Sequence, residues 1–401
     1  MSGPLAGYRV LDLTSMVSGP VATMMLGDQG ADVIKIEPID GEYMRKAGVK
    51  HRGMPSGFLS CNRSKRSLSI NLKSEAGIEA IKRLLANTDV MVQNFRPGAI
   101  DRMGLGESVA RKIRPDIIFV SISGFGEQGP YSGQRVYDPI IQALSGLADI
   151  QRDRESGKPK MVRTIIPDKT TSITAAQAIT AALLHRERTG EGQHIRLSML
   201  DTMIAYLWPE GMSGLNFMGH EVDPARAQMG LDLVFDTLDG HITAAAVADI
   251  EWAGLCRALG REELIDDAKY KTPADRSKNQ TERRQMITDE LLKWKTDDIL
   301  QRLKDEDVPC APILDRWGVL EDPQVKENNM IEVHAHPVLG DVRQPRPAVR
   351  FDRSPANVER LAPFLGEDND AVLEDAGYSE KEIAELYDSG VLGRQGQGSE
   401  L

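Results

Sequence analysis

The sequence predicts an α/β protein: a large domain built on a parallel, doubly wound sheet, with a smaller α+β domain after it. Three observations predict this. Strand-like and helix-like segments alternate from residue 8 to residue 198, the pattern of βα units whose strands pair in parallel. The chain has 401 residues, more than one ordinary core accommodates. From about residue 212 the texture changes, and charged helices with a strand pair replace the alternation. The expected division is a large domain over 1–211, a linker over 212–230, a small α+β domain over 231–327 and a further segment over 328–401.

The elements follow in order. Residues 8–13 and 31–36 alternate and favour β, and 20–27 between them reads as helix. Pro20 suits the first turn of that helix. A helix over 75–86 leads to a strand at 89–93, and another strand lies at 116–123. A long apolar helix opens at Pro167-Asp168-Lys169-Thr170-Thr171 and runs through Ala175, Ala176, Ile179, Ala182 and Leu183. It stops at Arg188-Thr189-Gly190, and a strand-like 194–198 follows. In the second domain, 234–237 and 241–245 read as a strand pair, and 282–294 and 296–304 carry apolar residues at helical spacing. The stretch 328–355 is expected to be irregular, because Pro337, Pro345, Pro347 and Pro355 punctuate it. Arg343, Arg346 and Arg350 make it locally basic. A last helix starts after Ser379, with Glu380 and Glu382 in its first turn. The tail 393–401 is expected to be disordered.

Composition excludes several classes. A net charge of −11 argues against a nucleic-acid partner. No apolar run reaches membrane-spanning length, and the first residues carry no basic or apolar leader. No membrane partner and a cytoplasmic location are therefore expected. Cys61, Cys256 and Cys310 show neither metal spacing nor a disulfide framework, and read as reduced core thiols. No metal is expected: His185 and His194 flank the turn after the long helix without forming a ligand cluster. The first strand ends in Thr14-Ser15-Met16-Val17-Ser18-Gly19-Pro20, so the glycine fingerprint of dinucleotide binding is missing. No hydrolase nucleophile motif is present either.

Four features carry candidate chemistry. Asp168 stands at a helix start; the local pattern alone favours a helix-capping aspartate, but free N–H groups there also orient a nucleophile. Arg63, Lys65, Arg66 and Lys73 concentrate charge within 62–73, either as a solvated face or as a phosphate site. Asn94-Phe95-Arg96-Pro97-Gly98 and Arg102 follow a strand directly, and the carboxyl ends of parallel strands are where such sheets bind ligands. The glycine-rich 124–133, with Arg135, Tyr137 and Asp138 after it, also follows a strand and permits close backbone approach.

Taken together these segments resemble the class III CoA-transferases, the CaiB/BaiF family. The likeness runs from Val10-Leu11-Asp12-Leu13 and Gly30-Ala31-Asp32-Val33-Ile34-Lys35-Ile36-Glu37-Pro38 through Asn62-Arg63-Ser64-Lys65-Arg66-Ser67 and Gln93-Asn94-Phe95-Arg96-Pro97-Gly98. It continues through Ser123-Gly124-Phe125-Gly126, Tyr137-Asp138, Ala143-Leu144-Ser145-Gly146, Asp168 and Arg188-Thr189-Gly190-Glu191-Gly192-Gln193 to Ala362-Pro363-Phe364-Leu365-Gly366-Glu367. The resemblance implies a Rossmann-like large domain plus a smaller α+β domain, with 328–401 returning to the large domain and ending in a helix. It also implies a homodimer of interlocked rings. Asp168 falls at the nucleophile position. By the same resemblance, contacts to coenzyme A fall on Val17, Ser18, Ile70, Asn71, Leu72, Lys73, Asn94, Phe95, Arg96, Arg102, Arg135 and Tyr137. Acyl-CoA and a carboxylic acid are the implied substrates, with no permanently bound cofactor.

Two departures stand out. Pro38 replaces a cation found in some members, leaving that phosphate contact to Arg45 or Arg63. After Asp239-Gly240 the chain reads Ala244-Ala245-Ala246-Val247-Ala248, without the glycine-rich lid of the formyl-CoA transferase branch, which argues against formyl transfer to oxalate. Arg163 and the 45–50 stretch are candidates for a second carboxylate, which would favour dicarboxylic acids. The nearest alternative is an α-methylacyl-CoA racemase of the same fold. That branch pairs the aspartate with a histidine where this chain has Tyr137 followed by Asp138, so the second acid/base is missing. A non-catalytic CoA-binding paralogue is the other alternative, and the intact Asp168 argues against it.

Overall fold

A computed structural model of the chain describes residues 3–153, 156–222 and 233–393. The expected disorder of the tail concerns residues that, apart from Gly393, lie outside this range. So does the later part of the expected linker, 223–230.

The central sheet has six strands: β1 (Arg9–Asp12), β2 (Asp32–Glu37), β3 (Lys65–Ser69), β4 (Val90–Gln93), β5 (Ile118–Ser123) and β6 (His194–Ser198). All neighbouring pairs are parallel, and the spatial order is β3-β2-β1-β4-β5-β6. The winding direction therefore reverses between β1 and β4, where Val10 pairs with Val90 and Leu11 with Met91. Strand side chains alternate between faces. Leu11, Ile34, Leu68, Met91 and Phe119 point to one face, against α2 (Glu75–Leu85) and the C-terminal helices Asn369–Asp375 and Glu380–Asp388. Val10, Val33, Val90, Ile118 and Val120 point to the other, against α1 (Ser18–Asp28) and the long helix α4 (Ile166–Thr189). Between these two in sequence lies the short helix α3 (Asp138–Leu144). Both faces are covered, so the strands read as near-continuous apolar runs.

The described residues form two compact units, one from Met1–Gln228 with Asn329–Leu401 and one from Met229–Asn328. In the second, the strands Phe235–Asp236, His241–Ala244 and Cys310–Pro312 make an antiparallel sheet. Helices Asp249–Leu259, Gln280–Leu291 and Thr296–Asp305 surround it, with Trp252, Ile242 and Leu303 at the core.

Two expectations are corrected. The stretch after residue 328 is not irregular throughout: Ile331–His336 and Gly340–Pro345 form an antiparallel hairpin. Pro337 falls in its turn and Pro345 closes its second strand, positions that leave the ladder intact. Three of the four cations in 62–73, Arg63, Lys65 and Arg66, are held by carboxylates rather than offered to solvent or a phosphate, because β3 runs through the cluster. Lys65 is fully buried and donates to Asp12 Oδ2, the Pro20 carbonyl and Asn62 Oδ1, each at 2.8 Å. Burial pulls its pKa down to about 8 even with Asp12 beside it. Arg63 is buried on Asp28 at 2.8 Å, and Arg66 pairs with Asp32 and Asp375 at 2.6 and 2.9 Å. Only Lys73 of the four is exposed and unpaired.

Candidate active site

The point where winding reverses leaves a crevice outside the carboxyl ends of β1 and β4, the place where open α/β sheets bind ligands. The structure has a cavity of about 330 Å³ there. Its wall is built by Ser15, Met16 and Ser18 after β1, by 94–97 after β4 and by 122–125 and 132–138 after β5. Asp168 and Met199 complete it.

Asp168 lies in the first turn of α4, whose long apolar stripe (Ala175, Ala176, Ile179, Ala182 and Leu183) anchors that turn against the sheet. Pro167 precedes it, and a proline fits a first turn because it has no N–H to satisfy. The position that caps α4 is Ile165, with no side-chain hydrogen bond. The helix-capping reading of Asp168 is thereby corrected. Its side chain does not cap α4, while its backbone N–H donates to Asp138 Oδ2 at 3.3 Å. Asp138, buried at the start of α3, thus caps this turn from outside; its other oxygen accepts from Gln142 at 2.7 Å.

The Asp168 carboxylate faces the start of α1. Ser18, the first residue of that helix, lines the cavity wall beside it, and its hydroxyl and backbone N–H act on the carboxylate as donors that lower its pKa. Asp168 makes no ion pair among the described residues. Burial pushes its pKa up to about 6, the nearby Asp138 charge adds to the rise, and the two Ser18 hydrogen bonds oppose it. Burial also raises Asp138. A carboxylate at two helix starts, half-buried and without a counter-ion, is poised to be basic yet remains ionised at neutral pH.

Of the residues singled out in the sequence, Ser18, Asn94, Phe95, Arg96, Arg135 and Tyr137 line this cavity with Asp168. Asn94 grips the opposite loop, accepting from Ser15 N at 3.0 Å and donating to the Ser15 carbonyl at 2.8 Å. Arg96 and Arg135 are exposed, and their side chains carry neither a hydrogen bond nor an ion pair, unlike the paired arginines of the sheet. Val17, Ile70, Asn71, Leu72, Lys73 and Arg102 do not line this cavity. Val17 and Ile70 are buried, and the Ile70 N–H is taken by the Glu37 carbonyl at 2.8 Å. Leu72 packs beside Phe95 on the core. Arg102 is exposed, with its guanidinium lying close over Gly98.

Neither replacement proposed for the cation at Pro38 is available. Arg45 is held by Glu37 at 2.7 Å and stacks on Phe58, 3.7 Å from the ring centre; Arg63 is held by Asp28. Arg45 is likewise excluded as a seat for a second carboxylate, whereas Arg163 is exposed and unpaired five residues before Asp168. The sequence shows no carboxylate–histidine cluster, yet folding creates a pair. His194 Nδ1 lies 2.7 Å from Glu107 Oε2, and its Nε2 lies 2.8 Å from Ser121 Oγ. These residues line a neighbouring cavity of about 290 Å³. Asp138 is the site residue that sequence reasoning undervalued; its signal was its place beside Tyr137, one residue into a new helix.

The comparisons agree with this geometry. Residues 5–369 match CoA-transferase family III. The chain is 34% identical to human "Succinyl-CoA:glutarate CoA-transferase", over 97% of this chain and 90% of that one. It is also 34% identical to "Succinate--glutarate CoA-transferase" of Agrobacterium fabrum, over 92% and 95%. A crystal structure of a CAIB/BAIF family protein from Brucella suis superposes with a TM-score of 0.83 at 30% identity, covering 94% of this chain and all of that one. A sheet of this order, a cleft at its reversal point and a match along nearly the whole length lead to one conclusion: the chain belongs to CoA-transferase family III.

Proposed function

We propose that Asp168 is the nucleophile of a CoA-transferase that moves coenzyme A between two dicarboxylic acids. The observation that carries this is the Asp168 carboxylate itself, ionised at neutral pH, facing a cleft and lacking a counter-ion. A charge in that state costs stability, and such costs concentrate at functional sites. The carboxylate attacks the thioester carbonyl carbon, the C–S bond breaks, and CoA thiolate leaves an aspartyl–acyl anhydride. The thiolate attacks the aspartyl carbonyl, releasing the donor acid and leaving an aspartyl-CoA thioester. The acceptor carboxylate repeats both exchanges in reverse, and Asp168 is regenerated without net proton transfer. Each stage is covalent catalysis that divides one slow exchange into easier ones. The Ser18 N–H and hydroxyl, fixed at the start of α1, are placed for the oxyanions of these steps.

The acyl-CoA is proposed to lie along the cleft with its phosphates on Arg96 and Arg135 and its apolar portions against Phe95 and Tyr137. In an acidic chain these unpaired cations are the local attraction for an anionic ligand. The dicarboxylate reading is supported by the names of the succinyl, glutarate and mesaconate transferases it resembles, and by the unpaired Arg163 five residues before the nucleophile in sequence. The absent histidine beside Asp138 disfavours racemisation, which needs a second acid/base. A homodimer is proposed from the family resemblance. Exposed apolar side chains such as Trp208, Phe217 and Met218 support it, since such surface marks contact sites.

A panel of acyl-CoA donors against free acids, read by mass spectrometry, tests the proposal. Label from succinyl-CoA should appear in glutaryl-CoA or a similar dicarboxyl-CoA. Exchange of the α-hydrogen for deuterium without CoA transfer would overturn it.

A further inference from the structure

We infer that Glu42 is a positioning residue: its buried carboxylate holds the strained Met16 backbone so that Ser18 presents its donors to Asp168. The inference rests on the proposed reaction at Asp168. The loop between β1 and α1 runs from Leu13 to Val17. Met16 in it has φ of +69°, a left-handed conformation that side-chain-bearing residues avoid unless their surroundings impose it. What imposes it is visible. The Met16 N–H donates to Glu42 Oε2 at 2.7 Å. Thr14 N–H is held by Asp12 Oδ1 at 2.9 Å, and the Thr14 carbonyl accepts from Lys35 Nζ at 3.0 Å. Ser15 is gripped on both its backbone groups by Asn94. The loop is thus clamped at three successive residues, and two residues beyond Met16 stands Ser18.

Glu42 is itself fixed. It is buried, its N–H donates to Glu37 Oε2 at 3.3 Å, and its Oε1 lies 3.0 Å from Lys35 Nζ. That last contact is an ion pair rather than a directed hydrogen bond. Lys35 is fully buried as well. Burial alone would favour its neutral form, but Asp12, Glu42 and Glu37 together keep it charged. A buried pair of this kind is weak evidence for stability on its own, whereas fixing one conformation is a use such pairs can serve. Here the conformation fixed is the one that a residue with a side chain resists, on the loop that carries the donors facing the nucleophile.

The test compares Glu42→Gln with Glu42→Leu, which have nearly the same shape. Glutamine keeps an oxygen for the Met16 N–H and leucine does not. Glu42→Leu is expected to lose at least about tenfold in kcat, beyond any change in KM for the acyl-CoA, and Glu42→Gln to recover most of it. Repeating Glu42→Leu in a Met16→Gly background separates positioning from general damage. Glycine adopts positive φ without strain, so the loss in kcat should shrink at least about threefold. Equal losses in both backgrounds would overturn the inference. If Glu42→Leu fails to fold, Met16→Asn and Met16→Val decide. Asparagine tolerates the left-handed region and valine does not, so valine should lose at least about tenfold more kcat; equal values would overturn the inference. Donor-dependent labelling of Asp168 in the unmodified enzyme separates the two claims. If labelling is absent the reaction at Asp168 fails; if it is present and the Glu42 variants behave alike, only the positioning role fails.

Discussion

At the scale of the residue, Asp168 sets both activity and stability. Its pKa of about 6 comes first from burial and then from Asp138, against the two Ser18 hydrogen bonds. Only the ionised form attacks, so log kcat/KM should fall with unit slope below about pH 6 and level off above it. A pH profile over the range from 4.5 to 8 checks this; an inflection near the ordinary carboxylate value would contradict it. Stability runs the other way. The folded pKa is raised above the ordinary aspartate value, so the native state holds the proton more tightly than the unfolded chain. Ionisation of Asp168 therefore destabilises the fold progressively as pH rises from about 4 to about 6, and the penalty persists at neutral pH. Asp168→Asn removes that charge. We expect a gain of about 1–2 kcal/mol near pH 7 after allowing for partial exposure, with transfer reduced at least about a thousandfold. Urea unfolding at pH 7 and pH 4 measures it, and the gain should vanish at the lower pH.

At the scale of the element, the loops after β1 and β4 and the first turns of α1 and α4 make the site. Gly19 allows α1 to start hard against the loop: a Cβ there would lie 2.3 Å from Thr14 Cβ. Gly19→Ala must shift the start of α1 and should cost about 1–3 kcal/mol. It should also lower kcat, because Ser18 moves with it; thermal melting and transfer rate read the two effects. Arg96→Ala and Arg135→Ala should each raise KM for the acyl-CoA about ten- to a hundredfold, the cost of a lost charge-assisted contact. Five of the six strands of the sheet were legible because alternation and β-branched runs are local signals, whereas β3 was masked by the charges of Lys65 and Arg66. So was Ser379, whose side chain caps Glu380–Asp388 with Glu382 completing the box. The hairpin at 331–345 was hidden because prolines were weighed by number rather than by place in the turn. Lys65 and Arg63 were misread because their acidic partners, Asp12 and Asp28, lie 53 and 35 residues away. Glu42 was invisible as a site residue for the same reason: what it does is a distance to another segment.

At the scale of the whole molecule, the acidic chain leaves Arg96 and Arg135 unpaired at one cleft, while Arg9, Arg45, Arg63 and Arg66 are held by carboxylates. Sedimentation at micromolar concentration should give a dimer, and a stable monomer would contradict the proposed assembly. The central claim is that transfer proceeds through a covalent bond to Asp168. Its most direct measurement is trapping. The enzyme is incubated with succinyl-CoA, quenched with hydroxylamine, digested and mapped by mass spectrometry. The account predicts a hydroxamate on Asp168 that requires the donor and is absent from Asp168→Asn. A donor-dependent adduct on another residue, or full transferase activity in Asp168→Asn, would contradict it.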